Sequence, residues 1–409
     1  MGSGGPATWE ACRLAVPRCR LHSVPVMDIA TRRLRSQRLA GNPLDTADEV
    51  VGWLGAVQAQ DYTAAVWALG QRTRDATAAD VHRLFDAGTL VRTHLLRPTW
   101  HLVLPDDLRW LLALTAPRLR TALAGRWREL EIGPGVMSRA QDTFAGALAG
   151  GRQLTRTELG AALRAAGIAP DGQRLPHLIM AAELDALVVS GPRRGHDFTY
   201  MLMDDRVPAA APLSPEEALG RLAQRYFRSR GPAQLQDFAW WAGTTLDGAR
   251  RGVAAAGDSL ASELIDGKPY WDADPASDAV LVPVAAAAAP GPAPPPPRTS
   301  RAPVAHLLPN FDELAVAYRD RSAADHPDGR FDPDLFAFGS ILGNVLVIGG
   351  RVRGAWRRVV RPRSVRVQVR LLDPLSPAER AAVARAAERM SRFLERPVDI
   401  EWEGPRPGW

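Results

Sequence analysis

Cysteine is nearly absent. Cys12 and Cys19 are the only two in 409 residues, and both precede Met27-Asp28, where the first patterned segment opens. The body of the chain therefore has no disulfide and no thiolate metal site, which fits a reducing, cytoplasmic compartment. Lysine is scarcer still: of 51 basic residues only Lys268 is lysine. It stands in Gly267-Lys268-Pro269-Tyr270, outside any phosphate-loop pattern, so a Walker-type nucleotide site is excluded. A Schiff base would have to come from that one turn residue. Long apolar runs are also missing. None reaches the roughly 18 residues that a membrane span needs. Glu10, Arg13, Arg18 and Arg20 break up residues 1–26 too often for a signal peptide, and this stretch reads as a disordered leader.

What is present is arginine and apolar bulk. A net charge of +6 and a 46% hydrophobic fraction leave ample material for two to four compact units. Planar arginine forks favour phosphate partners, although a GC-rich genome that prefers arginine codons gives the same bias.

The first unit, 27–125, starts with a helix. Thr46 and Glu49 form a capping box, and Val50, Val51, Leu54 and Val57 make its apolar stripe. A second helix spans Thr77 to Ala87 and stops at Gly88. A hairpin, Leu90–His94 and Thr99–Val103, turns at Arg97-Pro98, and Pro105 starts a helix through Leu114. Helix, helix, two-stranded wing is the winged-helix order. The second unit, 126–212, repeats it, with Gly191-Pro192-Arg193-Arg194-Gly195 as a basic wing tip. The third, 213–283, begins at Ser214-Pro215 and places two helices around Gly243. Residues 284–302 are an Ala/Pro-rich linker. Residues 303–409 read as strands plus one helix, Ser376 to Leu394. The expected fold is α+β: tandem winged-helix (helix-turn-helix) units with a C-terminal β-rich region, and the expected partner is double-stranded DNA.

Gln58-Ala59-Gln60 is the segment most suited to chemistry. Two amides in one helix, two positions apart, point about 200° from each other; in an extended segment they share a face. The functional reading therefore requires the helix from Thr46 to end near Val57. Neutral amides are poor bases but hold a water and an electron-poor atom in fixed geometry. That suits a bond already close to breaking, such as the glycosidic bond of a cationic N7-alkylguanine. The plainer alternative is two polar residues at a helix end.

Asp61 is a support residue or a helix cap. His94 and His101 lie on the wing strands, where a phosphate contact, a cross-strand contact or a core hydrogen bond all fit; their spacing matches no metal site. Asp312 and Glu313 are adjacent carboxylates suited to acid–base support, arginine pairing or capping. Gly349-Gly350 marks a hairpin whose Arg351, Arg353, Arg357 and Arg358 either track phosphates or guard a sheet edge. Arg97, His94, Arg193, Arg194, Arg351, Arg353 and Arg357 are the candidate DNA contacts. Neither metal nor cofactor is implied, and no protein partner: the chain reads as a monomer of the nucleoid. A regulator using winged helices only to read sequence is the alternative to an enzyme.

Four stretches carry a resemblance: Gln58–Gln60, Thr93–Val103, His306-Leu307-Leu308-Pro309-Asn310-Phe311-Asp312-Glu313, and Gly349–Arg358. Together they resemble a family of bacterial winged-helix DNA glycosylases with an azinomycin-resistance branch and an interstrand-crosslink branch, over roughly Asp28 to Trp402. The resemblance implies a concave DNA-binding scaffold of tandem winged helices that encircles the duplex, and hydrolysis of bulky N7-alkylguanines, in repair or in self-resistance to an alkylating natural product; with Lys268 as the one lysine, such a glycosylase would have no lyase step. It also implies Gln58 and Gln60 as the catalytic pair, and a β-hairpin set against the minor groove, expected around Gly349 to Arg353.

Overall fold

The computed structural model describes residues 28–273, 302–324 and 343–403. The leader and most of the Ala/Pro stretch lie outside the described residues. A short helix, α1 (Ile29–Ser36), comes first. One order of elements then recurs: helix, strand, helix, helix, strand, strand. It runs α2 (Ala47–Leu54), β1 (Val57–Gln58), α3 (Tyr62–Gly70), α4 (Ala78–Ala87), β2 (Val91–Leu95), β3 (Thr99–Val103). After α5 (Pro105–Glu129) it repeats as α6 (Pro134–Leu148), β4 (Leu154–Thr155), α7 (Arg156–Ala165), α8 (Arg174–Leu184), β5 (Val188–Ser190), β6 (Thr199–Leu202). The third round is α9 (Pro215–Arg230), α10 (Leu235–Ala242), α11 (Leu246–Ala256), β7 (Leu260–Ile265), β8 (Lys268–Ala273). Its first strand is reduced to a bridge between Ala233 and Trp271. The sheets run β1-β3-β2, β4-β6-β5 and β7-β8.

The C-terminal region is a five-stranded sheet ordered β13-β12-β11-β10-β9. Its strands are β9 (Ala305–Leu308), β10 (Val345–Ile348), β11 (Arg351–Val360), β12 (Val365–Leu371) and β13 (Val398–Glu403), with α12 (Glu313–Val316) and α13 (Pro377–Leu394) beside them. The mixed α+β character expected from the sequence is present. Among the described residues no helix is long and apolar enough to cross a membrane, and no group of three metal-ligating side chains converges.

Two packing facts position the candidate site. First, α2, α3 and α4 share one hydrophobic core with the C-terminal sheet and α13: Val50, Leu54 and Trp67 pack in the same cluster as Leu307, Trp356, Val367 and Phe393. The Trp67 indole donates to the Leu307 carbonyl at 2.7 Å, and the Trp356 indole to that of Leu308 at 2.8 Å. A Cβ on Gly70 would strike the Phe393 ring, so only glycine lets α3 approach α13 this closely. Second, Gly243, in the left-handed region at φ 63°, closes the α10–α11 corner against the β2–β3 turn, where a side chain would strike the Leu96 carbonyl. Parts of the chain far apart in sequence therefore meet around β1.

Two expectations change. The α5 helix does not end at Leu114 but runs through Pro117 to Glu129. The Gly349-Gly350 turn is not free to enter a groove: Gly350 is buried, its Cα facing the Ala30 backbone of α1 so closely that a Cβ would lie 2.9 Å from it. The exposed tip of this sheet is at the other end of β11, around Val359, Val360, Arg361 and Arg363.

Candidate active site

Glycine decides where α2 stops. Gly55 takes φ 76° at its C-terminus, and the chain leaves as extended backbone. Gln58 pairs with His101 across β1 and β3, and the Ala59 N–H donates to the Trp100 carbonyl at 2.7 Å. The helix thus ends before the amides, as the functional reading requires, and residues 58 and 60 flank a ladder residue of opposite face. Ala59 is buried, Gln58 is 6% exposed and Gln60 is exposed.

Gln58 is held at both ends. Its backbone N–H donates to Glu313 Oε1 at 2.9 Å, and its side-chain Oε1 accepts from Arg97 Nη2 at 2.9 Å. That second bond fixes which way the amide points, because a guanidinium offers only donors. Burial draws Arg97 below the ordinary guanidinium value while Glu313 works the other way. Gln60 is looser: its Oε1 accepts from the Trp100 N–H at 3.4 Å. Trp100 itself lies 4.6 Å from the His94 ring and 3.9 Å from the Arg92 guanidinium.

Glu313 is the hub beneath. Its Oε2 accepts from Arg230 at 2.6 and 3.1 Å and from the Trp241 indole at 3.1 Å, with Arg230 and Glu313 side chains wholly buried. Arg230 also donates to the carbonyls of Leu54 and Ala56, at 2.7 and 3.0 Å. The last turn of α2 and the start of β1 are thereby tied to α9 and α12. Beside this pair, Arg72 grips Asp312 through two 2.8 Å bonds.

The other expected residues fall into distinct places. Asp61 caps α3 through the Ala64 N–H at 3.0 Å, and Asn310 reaches its second oxygen at 3.4 Å. Asp312 is sealed against Arg72 and caps α12, so it acts on the scaffold and not beside a sugar; the expectation of acid–base support gives way to this. His94 is likewise turned inward and hydrogen-bonds Glu183, which replaces the expected DNA contact with an internal one. Burial pushes His101 down to about 3, so it is neutral at working pH.

The basic candidates are engaged with carboxylates. Arg193 grips Asp86 at 2.8 and 3.1 Å; Arg194 pairs with Glu158, Arg351 with Asp28, Arg353 with Glu379 and Arg357 with Glu403. The exposed pairs of Arg194 and Arg357 cost little to exchange for a phosphate. Arg193, held bidentate and four-fifths covered, is costlier to release. The sequence reading did not single out Arg230 or Trp100, nor the anchoring of Gln58 by Glu313. A pairing partner 255 residues away leaves no local pattern.

Comparison with known proteins fits this geometry. Residues 51–393 match the family described as DNA glycosylase AlkZ-like. The interstrand DNA cross-link repair glycosylase of Streptomyces sahachiroi is 26% identical over 377 residues, which is 87% of this chain and 94% of that protein. The solved structure of the Streptomyces sahachiroi DNA glycosylase AlkZ superposes with a TM-score of 0.67 at 22% identity, covering 91% of this chain and 98% of that one, and so shares the fold. With the matched segment spanning the amide strand, its anchors and most of the C-terminal sheet, the chain belongs to the AlkZ-like family of DNA glycosylases.

Proposed function

We propose that the chain is a monofunctional glycosylase that hydrolyses the N-glycosidic bond of cationic N7-alkylguanine in duplex DNA, bulky adducts and crosslinks included. The observation that carries this is Gln58 and Gln60 on an extended segment, with Gln58 clamped at both ends, in a chain of this family. The likeness to a cross-link repair glycosylase supports extending it to crosslinks. The thrice-repeated order of elements supports reading residues 27–125, 126–212 and 213–283 as winged helices that hold the duplex as a monomer. The tip at Arg361 and Arg363 takes the place expected of the Gly349–Arg353 turn as the hairpin offered to a groove.

The chemistry asks little of the protein. The alkylated base is already positive, so the C1′–N9 bond breaks with its electron pair going to the purine, which leaves neutral. The sugar becomes an oxocarbenium ion. Water adds at C1′ and loses a proton to solvent. Gln58 Oε1 keeps a second lone pair beyond its bond to Arg97, and the Gln60 carbonyl is weakly engaged; in this reading both orient that water and face positive charge. Lys268, the one lysine, sits in the β7–β8 hairpin and is assigned no part, so the product is an intact strand with an abasic site.

Duplex DNA carrying N7-methylguanine or a bulky N7 adduct tests the reading. The free base is quantified, and strand breaks are scored before and after mild alkali. Base release with breaks only after alkali is expected; no release from either substrate returns the chain to a DNA-binding role. Because carboxamides do not titrate and His101 is held neutral, single-turnover release should be flat between about pH 6 and 8.5. A sloping limb inside that window would mean that a titrating group takes part and that the amides do not act alone.

A further inference from the structure

Beside the amide pair lies a cleft of about 410 Å³ between the β2–β3 turn, the middle of α5 and the α10–α11 corner. Leu96, Leu119 and Leu246 contribute its apolar surface, and Trp240 stands in its wall. Trp240 is 46% exposed, whereas its neighbour Trp241 is fully buried on Glu313. A large aromatic left half in water at the edge of a concave apolar surface calls for an occupant.

Arg97 belongs to both places. One nitrogen donates to Gln58 Oε1, and the guanidinium carbon lies 5.4 Å from the centre of the Trp240 ring. The cleft therefore begins one side chain away from the amides. Its mouth carries Arg118 and Arg319, both exposed, and neither forms an ion pair among the described residues. Two uncommitted cations at the rim suit the phosphates of a strand passing by. The volume lies in the range of small-ligand sites. It holds two or three fused rings and is too small for a helix of about 10 Å diameter. The Gly243 contact with Leu96 fixes the corner that carries Trp240, so the wall is preformed.

We infer that this cleft receives a planar aromatic group attached to the damaged guanine, stacked on Trp240, while Arg118 and Arg319 meet the flanking phosphates. The inference deepens the glycosylase reading above and rests on it for the substrate. A planar ring could reach Trp240 from two sources, the adduct's substituent or an everted base, and the test separates them.

Two duplexes are compared, one with 7-deazaguanine carrying a naphthyl group at C7 and one with 7-deazaguanine alone. Neither base is cationic, so neither is excised, and binding is read by fluorescence anisotropy with the full chain. The naphthyl duplex should bind roughly tenfold more tightly, the order of one base–aromatic stack. With Trp240→Ala the ratio of the two affinities should fall to about one, and Trp240→Phe should restore most of it. A wild-type ratio near one overturns the inference. So does a ratio that survives Trp240→Ala, whether affinity for both duplexes falls together, as stacking of an everted base requires, or stays the same. Excision from duplexes carrying N7-methylguanine or a cationic bulky N7 adduct is scored separately. Its absence from both would sink the glycosylase reading, while the binding ratio still decides the cleft.

Discussion

Gln58→Ala should slow single-turnover release of N7-alkylguanine by about 10²–10³-fold, the usual cost of deleting one preorganised dipole from a site where charge develops. The effect should appear in the chemical step and not in binding. Gln58 is 6% exposed and tied to Arg97, so little of it is available to hold a duplex, and affinity should stay within about threefold. Gln60→Ala should cost less, about tenfold, because its amide is exposed and its one internal bond is long, at 3.4 Å. The double variant should be no slower than Gln58→Ala by more than a few-fold, since two groups that hold one water act as a unit. Quench-flow release with saturating enzyme measures all three. Wild-type rates in Gln58→Ala would take the amides out of the mechanism altogether.

The second large effect concerns stability. Glu313→Ala strips the carboxylate from an arginine whose side chain has no solvent exposure. An uncompensated buried charge costs about 3–5 kcal/mol, read as a lower urea midpoint at unchanged slope. Trp241 and the Gln58 N–H lose their acceptor in the same stroke. Removing both partners separates fold from function. Arg230→Met combined with Glu313→Leu should recover most of the stability, because an apolar pair of similar volume replaces an ion pair at little cost. It should not recover excision, since nothing then anchors the Gln58 backbone. Full activity in the double variant would mean that Glu313 serves only to hold the fold.

Much of the C-terminal region is legible from pattern. Alternating Val365–Leu371 has one face buried and is found as β12, and Gly349-Gly350 marks the turn between β10 and β11. What the pattern misses has physical reasons. The helix Tyr62–Gly70 is buried at every position but Thr63, so it shows no amphipathic stripe. The helix expected to end at Leu114 continues past Pro117 and buries Leu119, Leu123 and Trp127 beyond it, contacts that no local pattern shows. The β7–β8 hairpin turns on Asp266-Gly267, a dipeptide that favours such turns.

The site divides the same way. That Gln58 and Gln60 share an extended segment follows from Gly55 and could be reasoned. That Glu313 is an anchor, and Asp312 an arginine partner, depends on contacts spanning 240 residues or more. His94 lies on a strand whose two faces are both covered, and no local pattern distinguishes that from a wing strand open to DNA.

The core shared by α2–α4 with α13 and the last sheet has a consequence for how the cell makes this enzyme. Gln58 leaves the ribosome 255 residues ahead of the carboxylate that fastens it, a delay of roughly 10–50 s at ordinary elongation rates. Throughout that interval the nascent polypeptide carries Gln58, Ala59 and Gln60 without the Glu313 clamp. If the amides act as proposed, a product terminated before Glu313 would lack their anchor and should excise no base.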